Sequence, residues 1–66
     1  MSLTAYQIFC TIAEQKNMTK AAELLHITPS AVTHSMNALE KSLGFALLNR
    51  DRGGATLTAH GEMLLP

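Results

Sequence analysis

One cysteine, no tryptophan and two prolines stand in a chain of 66 residues. Cys10 has no second thiol to pair with, so an internal disulfide framework is excluded for this stretch, and the lone thiol agrees with a reducing compartment. It falls beside Tyr6, off the centre of its helix stripe, which reads as a packing thiol rather than a redox sensor. His26, His34 and His60 lack metal-ligand spacing, and no zinc site is assigned. Charge is scarce as well: five basic side chains balance five acidic ones. A net charge of zero argues against a protein that simply coats nucleic acid, so any such role rests on where the charges sit. No apolar run approaches the roughly 18 residues of a transmembrane helix, and "MSLTAY" lacks the basic start and apolar block of a signal peptide. The expectation is a cytoplasmic chain.

What is present reads as one small globular domain, 47% hydrophobic. A chain this short buries only about 60% of the surface its unfolded form exposes, which favours a compact scaffold over a catalytic cavity. Thr4 is a good N-cap, with Gln7 completing a capping box and Leu3 and Ile8 in the positions of a hydrophobic staple. Ala5, Ile8, Phe9, Ile12 and Ala13 then follow the spacing of a core-facing stripe, which ends near the polar "EQKN". Thr19 reads as the cap of a second, short helix, "KAAELLH", whose Ala21, Ala22 and Leu25 suit close packing.

A third helix begins at Thr28. Pro29 then falls at N1, where its missing N–H costs nothing and its fixed φ is already helical. Ile27 and Val32 repeat the staple, and Gly44 is a natural terminator, with Phe45 placed to fold back on Leu39. Two helices joined so tightly cannot lie antiparallel and are expected to cross steeply, as in a helix-turn-helix. Val32, Met36, Leu39 and Leu43 share one stripe of the third helix, while Ser30, Thr33, His34, Asn37 and Lys41 gather opposite. A solvated helix face usually carries Glu and Lys. This one uses mediocre helix formers that offer donors and acceptors outward. Asn can bond adenine bidentately in the major groove, Ser and Thr reach several bases, and a threonine methyl suits that of thymine.

After Gly44 the pattern becomes two short apolar runs around "RDRGG", a β-hairpin in which Gly53 and Gly54 are expected to supply positive φ. Lys41, Arg50 and Arg52 face only Asp51 in that segment, a local positive surplus within a neutral domain. A basic tip beside an uncharged face suggests arginines on phosphate and a helix on bases. Thr58 caps a last helix, "AHGEMLLP", that Gly61 is expected to weaken. Met63, Leu64 and Leu65 look like the start of a longer element or a partner surface, and Met18, Met36 and Met63 like core or interface fillers.

The landmarks "TKAAELLHI", "SAVTHSMNALEKSLG", "LLNR", "LT" and "GEMLLP", in order and spacing, resemble the N-terminal winged helix-turn-helix of LysR-type transcriptional regulators. The opening "LTAYQIFCTIAEQKNMT" is similar to the family's first helix, so the likeness covers essentially the whole chain. It implies a mainly α fold: a three-helix winged helix-turn-helix over residues 1–58 with a small β-hairpin wing, then over 59–66 the start of a linker helix for dimerisation. It implies double-stranded DNA as partner and a homodimer or tetramer in the full-length protein. A small-molecule effector would belong to a C-terminal domain outside this sequence, and no cofactor is expected here. DNA contacts carry over to Pro29, Ser30, Thr33, His34 and Asn37 of the recognition helix, with Arg52 as the wing arginine and Arg50 at the end of the first wing strand. Pro29 stands where the family often has Gln, and His34 and Asn37 stand where it often has basic residues. Phosphate affinity below the family norm follows.

Winged helices also serve as protein-interaction modules, a use that zero net charge suits. An enzyme is disfavoured by the absence of a nucleophile–base pair, a metal cluster or a phosphate-binding glycine loop in the sequence.

Overall fold

Thr4 opens α1 (Ala5–Gln15) as its spacing to Gln7 predicts. In the computed structural model, which describes residues 3–51 and 54–65 and Arg50 and Asp51 through their backbone, the capping box is complete. The Thr4 hydroxyl accepts from the Gln7 N–H at 3.1 Å, and Gln7 Oε1 accepts from the Thr4 N–H at 2.8 Å. The chain leaves α1 through Lys16, a left-handed residue with φ 55°. The Asn17 side chain then accepts from the Lys20 N–H at 2.9 Å and caps α2 (Met18–Leu25). Thr19 is therefore not the cap expected for it but lies in the first turn. Asn17 is the stronger capping residue and stands directly after the left-handed turn that ends α1.

Only His26, Ile27 and Thr28 separate α2 from α3 (Pro29–Leu43). His26 adopts φ 59°, and the Ile27 N–H reaches back to the Ala22 carbonyl at 3.0 Å, the closure of a Schellman motif. Thr28 caps α3 by accepting from the Ala31 N–H at 3.1 Å, with Pro29 in the first turn as expected. Gly44, at φ 83°, ends the helix.

Two short strands follow, β1 (Leu48–Asp51) and β2 (Gly54–Leu57), antiparallel with Leu48 opposite Leu57 and Arg50 opposite Ala55. Gly54 begins β2 without a positive φ, contrary to expectation, while Gly53 and Arg52 lie outside the described residues. The reason Gly54 suits its place is a close approach: a Cβ there would come 3.2 Å from the Lys16 carbonyl oxygen. That oxygen accepts the Ala55 N–H at 3.1 Å, so the turn between α1 and α2 supports the hairpin.

Thr58 caps α4 (Ala59–Leu64), accepting from the Gly61 N–H and donating its hydroxyl to the Ala46 carbonyl at 2.7 Å. Gly61 does not weaken this helix so much as allow it to dock, because it is buried and a Cβ would run into the Leu47 carbonyl.

The core is built from α1, α2, α3 and the hairpin: Ile8, Phe9, Ile12, Ala21, Ala22, Val32, Met36, Leu47, Leu48 and Ala55 are buried. Leu25 and Leu39 are half-buried against it. Leu43, expected on the core stripe, is 37% exposed at the last position of α3, where the helix reaches the surface. Met36 fills the core as expected, whereas Met63 is 82% exposed, so it fills nothing within the chain. The Phe45 ring stacks on His60 of α4, centroids 4.4 Å apart. The Tyr6 hydroxyl donates to the Leu64 carbonyl at 3.3 Å and ties α1 to the end of α4. Its hydrogen bond with the half-buried Cys10 thiol raises the Tyr6 pKa above the ordinary value. No described helix is long and apolar enough to cross a membrane.

Candidate nucleic-acid interface

Burying Val32 and Met36 decides which way the rest of α3 faces. Pro29, Ser30, Thr33, His34 and Asn37 are all exposed, and together they line one shallow, open concavity along the helix. Lys41, one turn beyond Asn37, is exposed as well. The five residues singled out in α3 are thus brought together on a single surface. Their chemistry is two hydroxyls, an imidazole and a carboxamide, groups that donate and accept without a fixed charge. The first turn of α3, with Pro29 and Ser30, is the positive end of the helix dipole, which favours a nearby phosphate. So open a surface does not enclose a small molecule, but it matches the edge of an extended partner.

The hairpin follows this helix in the chain, and its second strand packs on α1 and α4. Arg50 occupies β1 opposite Ala55, two residues from the buried Leu48. Arg52 lies outside the described residues, so the expected pair of wing arginines is located in the structure only through the backbone of Arg50.

Two contributions escape a reading of the sequence. Glu40, half-buried on α3, accepts through Oε2 from the Leu47 N–H at 2.7 Å and the Leu48 N–H at 3.2 Å, joining α3 to the start of β1. The Lys16 carbonyl holds β2 in the same way from the other side. A glutamate in the last turns of a helix looks like a solubility residue, and a backbone carbonyl has no sequence signal. A loose clue to Glu40 lay in the break after Gly44, since a strand that starts against a helix leaves N–H groups to satisfy.

Comparison with known proteins places these features in a family. Residues 3–62 match the family model for bacterial regulatory helix-turn-helix proteins of the lysR family. The HTH-type transcriptional regulator CfxR of Cupriavidus necator is 42% identical over 65 residues, 98% of this chain and 20% of that protein. PcaQ of Agrobacterium fabrum, also an HTH-type transcriptional regulator, is 41% identical over 59 residues, 89% of this chain and 19% of its own length. The chain thus spans about a fifth of the length of these curated relatives. Among solved structures, the crystal structure of a CbnR_DBD–DNA complex superposes with a TM-score of 0.92 at 40% identity, covering 98% of this chain and 75% of that one. With its winged helix-turn-helix, polar α3 face and match over nearly all its length, this chain belongs to the lysR family of bacterial regulatory helix-turn-helix proteins.

Proposed function

We propose that the chain binds double-stranded DNA in a sequence-dependent manner as the N-terminal domain of a bacterial transcriptional regulator. The observation that carries this reading is the gathering of Ser30, Thr33, His34 and Asn37, with Pro29, on the one exposed polar face of the second helix of a helix-turn-helix. In this reading α3 enters the major groove, Thr33 and Asn37 meet base edges, Ser30 holds register on the backbone, and Arg50 and Arg52 of the wing meet phosphate or the minor groove. CbnR_DBD, whose fold this chain shares, was crystallised with DNA, which supports the same partner here. Residues 1–58 form the reading domain and 59–66 begin the linker helix. Dimerisation, a cytoplasmic location and control by a small effector belong to the whole protein in this proposal, as does a regulatory rather than enzymatic role.

The zero net charge favours one other reading, a protein-docking winged helix. Fluorescence anisotropy separates the two. The chain is titrated, alone and as two copies joined through a helical zipper, against a random duplex and one selected from a pool, at several salt concentrations. Tighter binding to the selected duplex is expected, with a log–log salt slope of about 0.9 for each phosphate neutralised. Absence of duplex binding in both forms at low salt would sink the DNA reading and leave the docking module.

A further inference from the structure

Reading DNA with a helix and a wing together requires the two to stand at a set offset, and one side chain bridges them. Leu47 and Leu48 lead into β1, both are buried, and both of their N–H groups point to the same Glu40 oxygen, 2.7 and 3.2 Å away. On its other side the Leu47 carbonyl accepts the Thr58 N–H at 2.9 Å. Both bonds set one side-chain oxygen of α3 on two successive backbone N–H groups, so they tie α3 to the root of the hairpin. The ladder between β1 and β2 does not depend on it, because Leu48 pairs with Leu57 within the hairpin. Nor does the exposed face of α3, which is set by the burial of Val32 and Met36.

We propose that Glu40 is a positioning residue for DNA binding, its carboxylate holding the Leu47–Leu48 backbone so that the wing reaches phosphate while α3 lies in the groove; this rests on the DNA-binding reading above. What the bridge needs from Glu40 is an acceptor oxygen at this reach. Its loss loosens the Leu47–Leu48 end of the hairpin, while the Lys16 carbonyl still holds Ala55, and so weakens the wing's phosphate contacts; α3 continues to discriminate between bases.

The test compares wild type, Glu40→Gln and Glu40→Asp in the full chain, each shown to be folded by circular dichroism. Affinity and salt slope are measured on the selected and random duplexes, and amide exchange at Leu47 and Leu48 by NMR. Glu40→Gln keeps an oxygen at the same reach and should retain the wild-type slope. Glu40→Asp keeps the charge but is a methylene short, and its slope should fall by about 0.9 for each wing phosphate lost, with affinity on both duplexes down roughly ten-fold and their ratio nearly unchanged. Its Leu47 and Leu48 amides should exchange faster. A folded Glu40→Asp with the wild-type slope would overturn the proposal, as would a Glu40→Gln that loses the slope while those amides stay protected. Should Glu40→Asp not fold, Glu40→Ala, which removes the oxygen altogether, takes its place: a reduced slope with faster Leu47 and Leu48 exchange is expected, and a wild-type slope overturns the proposal. Wild type that binds neither duplex, alone or as the zippered pair, would fail the DNA reading itself, a result told apart from a failure of Glu40 because it precedes any substitution.

Discussion

Asn37 sits in the middle of α3, exposed and flanked by Thr33 and Lys41 one turn away on either side. A carboxamide at that point of a groove-reading helix has both the donor and the acceptor that adenine presents in the major groove. In the proposed mode, Asn37→Ala should cost about 1–3 kcal/mol on a selected duplex and little on random DNA. Equal losses on both duplexes, measured by anisotropy at one salt concentration, would remove Asn37 from base reading. The neutrality of the face on the N-terminal side of Asn37 matters equally. Ser30, Thr33 and His34 add hydrogen-bonding groups without the fixed positive charge that would hold every sequence alike.

At the scale of elements, the cap chemistry explains which boundaries are legible. Thr4 with Gln7, Thr28 with Pro29 and Thr58 each act within a single turn, so neighbours in sequence suffice to define them. Asn17 and Thr19 are both plausible caps for α2, and the left-handed conformation of Lys16 decides between them. Gly61 is the opposite case. Local propensity makes it a defect, since glycine costs about 1 kcal/mol in a helix relative to alanine. Packing makes it a requirement, because the Leu47 backbone occupies the space a Cβ would need. Gly61→Ala, stabilising by propensity alone, should therefore lower the melting temperature and loosen the stacking of His60 on Phe45, both visible in a thermal melt and in ring-proton NMR shifts. A melting temperature that rises would mean that α4 can shift without loss.

Across the whole molecule, the margin is thin. The largest fully buried side chains are Phe9, Ile12, Met36, Leu47 and Val32, and they come from α1, α3 and the segment leading into β1. Met36 joins α3 to that shared core, so Met36→Ala should destabilise by about 2–5 kcal/mol. In a domain of this size each kcal/mol lowers the melting temperature by about 4–8 °C, so calorimetry should find the variant's midpoint lower by about 8 °C or more. A shift of only a degree or two would show that α3 is held by its neighbours without that side chain. The sequence by itself determined the helical elements, the hairpin and the polar face of α3, because each follows from caps, turns or spacing within a few residues. It also carried the family resemblance. Only the tertiary structure decided that Leu43 reaches the surface, that Gly61 yields to Leu47, and that Glu40 and Lys16 hold the hairpin from either side. These depend on groups far apart along the chain, and a backbone carbonyl or N–H, identical at nearly every residue, acquires a partner only when folding brings one to it.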